Sequence, residues 1–236
     1  MSIGFIRSGQ RVLVGHEPVI GFGDDAFCVR VVQREVATKI IIANHYSHKV
    51  FNGSTEHHGV FIDGALVGVL QWGSGLNPSS GRGVVTGTKN GDWRELNRMW
   101  LDDSAPRNSE SRAIAYSLRL LTQNAQNVGW VQSFADERCG GLGVVYQACS
   151  FLYLGEHTSE FYELDGEFFH KIAATCTASL KNRAKARDVL MPRIHEATVH
   201  RLRQFRYFKA LKKWAARGLV MAPQPYPKRP AEEGTL

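Results

Sequence analysis

Two imidazoles and a phenol stand within four residues at Asn44-His45-Tyr46-Ser47-His48. On a helix His45 and His48 lie three apart and share a face. That spacing supplies two metal ligands, or a ligand and a base. A polar helix end, where cationic histidine favours the dipole, is the structural alternative. A second segment, Arg94 to Leu101, sets charges in an apolar run. Read as a strand, it places Glu95, Asn97 and Met99 on one side and Arg94, Leu96, Arg98 and Trp100 on the other. Charge in a central strand is costly to bury unless paired or used; an edge strand with solvated charges is the alternative. A third segment, Pro106 to Arg112, brings Arg107, Asn108, Ser109, Ser111 and Arg112 to a helix N-terminus, with Asn108 or Ser109 as cap. Anions bind at such ends through orphan N–H groups and the dipole, although a capped helix needs no ligand. The fourth segment, Gln132 to Gly141, holds the adjacent carboxylates Asp136 and Glu137 and the thiol of Cys139 at the C-terminal end of a strand, where open α/β sheets place their sites. Tyr146 follows on the next helix. A carboxylate, a histidine and a phenol brought together can bind iron, while each alone reads as a solvated turn.

These segments need elements to hold them. Ala26 to Gln33 is a short β run, and Arg34 to His45 has helical spacing of its apolar residues. His57 to Gly73 predicts a β-hairpin turning at Asp63-Gly64, and Phe161 to Ala173 a second turning at Asp165-Gly166. Leu76 to Asn90, rich in Gly, Ser, Thr and Asn, reads as a long loop able to approach a ligand closely. Trp93 to Leu101 and Val128 to Ala135 read as strands, Ser109 to Gln123 and Leu142 to Phe151 as helices. From Ser179 to Arg217 a basic helix interrupted at Pro192 is expected. The order predicts an α/β fold with a central mixed sheet and helices on both faces. Residues 1–177 then form the catalytic domain, 178–220 a basic helical extension, and 221–236, with four prolines, a disordered or extended tail.

Charge is divided unevenly. Net charge is +7, yet Lys181 to Arg217 holds twelve Lys or Arg against two acids, so the rest of the chain is acidic by three. A polyanionic partner is expected, gripped by Arg183, Lys185, Arg187, Arg201, Arg203, Arg206, Lys209, Lys212 and Lys213. With 43% hydrophobic residues the chain can build a core. The four cysteines, Cys28, Cys139, Cys149 and Cys176, form no Cys-x-x-Cys pair, which argues against a zinc ribbon. No apolar run of about 18 residues exists to span a membrane. Met1 to Val14 lacks an apolar core and a small-residue cleavage site, so a cytoplasmic protein is expected.

The element order is that of the GNAT N-acyltransferase superfamily, and the Pro106–Arg112 segment stands where that superfamily cradles the pyrophosphate of acyl-CoA, although the usual Gly-rich loop is missing. Over residues 26 to 175 the strings Asn44–His48, Glu95–Trp100, Pro106–Ala113, Ser133–Cys139 and Val144–Ala148 closely resemble the Mom family of Mu-like phages. The resemblance implies a GNAT-like fold, conversion of adenine in double-stranded DNA to a carbamoylmethyl (acetamido) form that shields phage DNA from host restriction, and work in the host bacterial cytoplasm. It implies iron, held among His45, Tyr46, Asp136 and Tyr146, and acetyl-CoA or a related donor. It makes Asp136, Tyr46, Arg98, Tyr146 and Ser111 the catalytic candidates. The base would be flipped into a pocket, with Trp72 or Trp93 available for stacking or for the core. A homodimer would suit palindromic DNA. An ordinary N-acyltransferase on a small amine or protein, and a non-enzymatic DNA-binding protein, remain open beside this reading.

Overall fold

The computed structural model describes residues 12–14, 17–19, 21–171 and 186–228. The elements are β1 (Val12–Val14), β2 (Glu17–Val19), β3 (Gly21–Gly23), β4 (Phe27–Val31), α1 (Arg34–Asn44), β5 (Ser54–Ile62), β6 (Ala65–Gly73), β7 (Trp93–Leu101), α2 (Ser109–Asn124), β8 (Trp130–Asp136), α3 (Val144–Ala148), β9 (Leu152–Leu164), β10 (Glu167–His170), β11 (Thr198–Ala210) and α4 (Lys213–Arg217). The expected order from the first strand to the second hairpin is met. Both Asp-Gly turns form where the sequence sets them, and Asp63 and Asp165 each take positive φ, as a two-residue turn of this kind requires.

Two compact units are present. The larger holds residues 1–133, 144–154 and 207–225. Its sheet runs β9–β11–β8–β7–β6–β5–β4–β3. Pairing is antiparallel from β3 through β7, and β7 then meets β8 in parallel. The smaller unit holds residues 134–143, 155–206 and 226–236. In it β10 pairs antiparallel with β9, and Leu164, Phe169 and Leu190 form a small core.

The basic segment departs from expectation. Thr198–Ala210 is a thirteen-residue strand, not a helix, and only the five residues Lys213–Arg217 are helical after it. The reason lies in its period. Charged and apolar residues alternate along Arg201-Leu202-Arg203, and Phe205, Tyr207 and Phe208 are fully buried, so the segment joins the sheet, with Phe208 packed in the core of Trp93 and Trp130. Before it, residues 186–196 make short helical turns. The tail is held in part, for Gln224 bridges to Tyr153. Leu142–Phe151 yields only the five-residue α3. The loop after β6 is ordered. Its Pro78–Gly83 part is a 3₁₀ turn, Val84 and Val85 are buried, and Thr88 Oγ1 accepts from Trp130 Nε1 at 3.1 Å.

α2 is fixed to the sheet by a polar contact inside the core. Ser117 Oγ lies 2.6 Å from His58 Nδ1 and accepts from Trp72 Nε1 at 2.7 Å. All three residues are buried. Burial drives the His58 pKa down to about 3, so the ring is neutral. Trp72 and Trp93 are both core residues, which removes either from a stacking role.

Candidate active site

A β-bulge assembles the polar residues of the larger unit. In the β6–β7 ladder Gln71 stands opposite Arg98, but Trp72 stands opposite Leu96, so Asn97 is the extra residue. One extra residue reverses the alternation from that point on. The simple alternation expected through β7 is therefore broken. Glu95, opposite Gly73, shares a face with Arg98, instead of opposing it. Two adjacent rungs result on that face. One runs His57–Gln71–Arg98, the other Ser54–Gly73–Glu95–Gln132. Gln132 Nε2 donates to Glu95 Oε2 at 2.8 Å across the parallel β7–β8 pair. That pair is registered over only three residues, Trp93 to Glu95. Asn97 itself accepts from Ser54 Oγ at 2.9 Å and donates to the Ser74 carbonyl at 3.1 Å, which locks the bulge.

The packing around these rungs leaves them between two apolar covers. On one side Val69 and Trp100 pack under Ala37, Ile40 and Ile41 of α1. On the other Trp93 and Trp130 stack at 5.0 Å under Val84, Val85 and Ala215. α1 stops at Asn44, just short of the polar rungs, and the loop after it takes over. His45 is buried there, and its Nδ1 accepts from the Ser47 N–H at 3.1 Å. Tyr46 lies against the His45 ring at 4.2 Å and is 53% exposed. Arg98 Nε donates to the Lys49 carbonyl at 3.1 Å and so ties this loop to β7. The Ser74 N–H donates to the Gly53 carbonyl at 3.0 Å, bringing the start of the next loop alongside. Both loops thus border the same rungs. His48, in contrast, has φ of 45° and points its ring at the Ile42 carbonyl. It shares no helix face with His45, because the helix has already ended.

The buried row also contains an unused acceptor. Gln71 Nε2 contacts His57 Nδ1 at 3.2 Å, while Gln71 Oε1 has no hydrogen-bond partner among the described residues. Such a group costs about 1–3 kcal/mol unless something binds it. Burial, aided by the Arg34 charge, lowers the pKa of His57, so it is a neutral ring beside Gln71. His57 and Gln71 were not singled out from the sequence, and Glu95 was read on the face away from Arg98. The bulge that brings Glu95 to the Arg98 face carries no sequence signal.

A cavity of about 510 Å³ opens at the N-terminus of α2. Arg107, Asn108, Ser109, Ser111 and Arg112 all line it, together with Phe27, Ile62, Asp63 and Cys149. Asn108 is the N-cap residue, but it sits in the left-handed region at φ 69° and its side chain makes no cap bond. Ser111 Oγ donates to the Asn108 carbonyl at 3.0 Å. The Ser109 N–H donates to the Pro106 carbonyl at 3.1 Å, while no side chain caps the N–H groups that follow it in the first turn, which leaves those available to an anion. Arg112 lies 4.3 Å over the Phe27 ring and 3.5 Å from the Asp24 carboxylate. Cys149 donates to the Ser111 carbonyl, and burial raises its pKa to about 11, so it is a thiol.

The remaining expected residues lie elsewhere. Asp136 belongs to the smaller unit, where both of its oxygens accept from Arg138. Glu137 there accepts from Arg203, which holds its carboxyl below the usual range. Tyr146 packs in an aromatic cluster with Phe151 and Tyr207. Iron was expected among His45, Tyr46, Asp136 and Tyr146. Asp136 is bonded to a guanidinium, Tyr146 is stacked among rings, and among the described residues no group of three His, Cys, Asp or Glu is placed to hold a metal ion. Among the described residues no helix is long and apolar enough to cross a membrane.

The expected phosphate contacts are largely engaged within the fold. Arg201 bonds Glu160, Arg203 bonds Glu137, and Arg206 lies over Phe134. Lys209 donates to the Cys149 carbonyl and Lys212 to the Gln126 carbonyl, while Lys213 is exposed. Arg183, Lys185 and the Arg187 side chain lie outside the described residues, as does Cys176.

Comparison with known proteins places this geometry in context. Among solved structures the chain is similar to ribosomal-protein-S5-alanine acetyltransferase from Vibrio fischeri, with 11% identity, 83% of this chain and 98% of that one covered, and a TM-score of 0.49. It is also similar to a GNAT family acetyltransferase from Elizabethkingia anophelis with acetyl-CoA bound, at 7% identity over 80% of this chain and all of that one, with a TM-score of 0.44. Methylcarbamoylase mom of Escherichia phage Mu is 47% identical over 213 residues, 89% of this chain and 87% of that protein. Residues 26–228 match the Mom protein family. The match runs past the expected limit at residue 175 and takes in β11, so the basic strand lies within the matched region. The chain therefore belongs to the Mom protein family.

Proposed function

We propose that this protein is a DNA-modifying transferase that places a carbamoylmethyl (acetamido) group on the exocyclic amine of adenine in double-stranded DNA. The observation that carries the reading is the 47% identity to methylcarbamoylase mom across nearly the whole of both chains. The bulge-built rungs support it, because they supply the groups such a transfer needs. A base flipped out of the duplex enters beside Tyr46 and presents its amine to Glu95. A new bond forms between the amine nitrogen and the transferred carbon, the donor's leaving group departs with its electron pair, and Glu95 takes the displaced N–H proton. Arg98, held by the Lys49 carbonyl, orients the group being transferred, and Gln71 Oε1 offers an acceptor for a ligand N–H.

The donor belongs in the cavity at the start of α2. Its two guanidinium groups and first-turn N–H groups suit the phosphates of an acyl-CoA-like donor, opposed by Asp63 in the lining and by Asp24 beside Arg112. Iron is part of what the family resemblance implies. Protection of phage DNA from host restriction, in the host cytoplasm, is the biological setting of this chemistry. Nucleoside mass spectrometry on plasmid DNA from bacteria expressing the chain tests the reading beside a Glu95→Gln control. A new adenine species bearing the added group, absent from the control, is expected. Unmodified adenine from cells containing folded protein overturns it.

A further inference from the structure

The geometry points to Leu76 as a wedge that enters the DNA stack and holds open the space left by the target adenine. This inference rests on the duplex-DNA reading above. Leu76 follows Ser74 and Gly75, which border the polar rungs. Ser74 carbonyl accepts from Asn97, and a Cβ at Gly75 would lie 3.1 Å from Glu95 Oε2. Leu76 is 46% exposed. A single exposed leucine is ordinary on a protein surface, but this one sits on a braced, cationic turn.

Three features of that setting agree. First, the loop is rigid where a wedge has to be rigid. Asn77 Oδ1 accepts from the Ser79 N–H and hydroxyl, fixing the turn directly after Leu76. Trp93 Nε1 donates to the Pro78 carbonyl at 3.2 Å. A Cβ at Gly81 would meet Trp93 Nε1 at 2.5 Å, so the turn is seated on the indole, and Val84 and Val85 anchor its far end in the core. Second, the charge suits a polyanion. Leu76 to Asn90 contains Arg82 and Lys89 and no acid. Third, the exposed surface of the turn is what a groove-facing loop needs. Asn77, Pro78, Ser79, Ser80 and Arg82 are all exposed around the single apolar side chain. Proteins that unstack DNA insert such apolar wedges between base steps, and a base removed from the stack leaves a void for one to fill. Tyr46, exposed on the loop joined to this one through Gly53 and Ser74, is available to the extruded base.

The test compares two substrates with the full-length protein. One is a duplex with a paired target adenine. The other carries the same adenine in a mismatch that leaves it already unstacked. For Leu76→Ala the rate on the paired duplex should fall about tenfold, equivalent to about 1.4 kcal/mol, while the rate on the mismatched duplex stays near that of the unaltered protein. Leu76→Phe, which keeps a large apolar group, should restore activity on the paired duplex. 2-Aminopurine fluorescence at the target should rise with the unaltered protein and with Leu76→Phe, but not with Leu76→Ala. Equal loss on both substrates, or no loss on either, overturns the wedge while leaving the transferase reading intact. If the unaltered protein modifies neither substrate, the transferase reading falls and the wedge with it.

Discussion

Acidification should weaken this fold through His58 by an amount the structure defines. The ring is buried between β5 and α2 against Ser117, and its pKa is driven from 6.5 to about 3, first by burial and then by the neighbouring His57. In the unfolded chain it titrates normally. Below pH 6.5 the unfolded state therefore binds a proton that the folded state does not, and stability falls as pH falls. The contribution is fully present above that pH and is lost through the window from 6.5 down to about 3. From pH 7 to pH 5 the loss amounts to about 2 kcal/mol, taking about 1.36 kcal/mol per unit over the part of the range below the free pKa. His57, His157 and His170 are shifted in the same direction and add to the slope, so a variant is needed to isolate His58. His58→Gln keeps an acceptor for Ser117 and cannot titrate. Urea unfolding of both proteins at pH 7, 6 and 5, read as midpoint times slope, should show the stability advantage of the unaltered protein shrinking by about 2 kcal/mol across the range. Parallel pH curves would refute the reasoning, because they would mean that His58 is protonated in the fold or exposed to solvent.

Other outcomes follow from the site. Glu95→Gln should slow transfer at least about 100-fold while leaving duplex affinity within about twofold; a rate within tenfold of the original in a single-turnover assay would remove Glu95 as the proton acceptor. Arg107→Ala and Arg112→Ala should each raise the donor KM by about tenfold, the worth of one charge-assisted contact, without altering DNA affinity, and an unchanged donor KM would place the donor elsewhere. Gly81→Ala should lower stability by about 1–3 kcal/mol, since its Cβ would press on an indole already stacked against Trp130; an unchanged melting temperature would show that the loop is not seated there.

Much of the framework was readable from local pattern. The turns at Asp63-Gly64 and Asp165-Gly166, the strand Trp93–Leu101 and the helix from Ser109 needed only alternation, helical spacing and turn chemistry. The residues of the α2 cavity were readable too, because a polar cluster before a helix is local. What escaped was non-local. The Asn97 bulge depends on how β6 and β7 register, so Glu95 was placed on the wrong face. His58 meets a serine 59 positions away, a pairing that no window of sequence contains. The basic segment misled for another reason. Its charge count suggested a solvated helix, yet its arginines alternate with apolar residues and pair with Glu137, in the turn after β8, and with Glu160, on β9. Asp136 illustrates the same limit, for its neighbour Arg138 occupies the carboxylate that seemed free for a metal.

The position of β11 also bears on how the protein comes into being. In the larger unit this strand lies between β8 and β9, although the chain makes both of those first. While synthesis proceeds from β9 toward Thr198, the two strands have no neighbour to share and each offers bare backbone to its surroundings. The sheet closes only when Tyr207 and Phe208 arrive to fill its interior, a late and long-range step of the kind that slows folding. A nascent chain thus cannot seat Trp130 properly, nor organise the rungs beside it, before the basic strand has left the ribosome. Catalytic competence is in this way gated by completion of the polypeptide, and a product truncated ahead of Thr198 would be aggregation-prone and inert, not a weaker version of the enzyme.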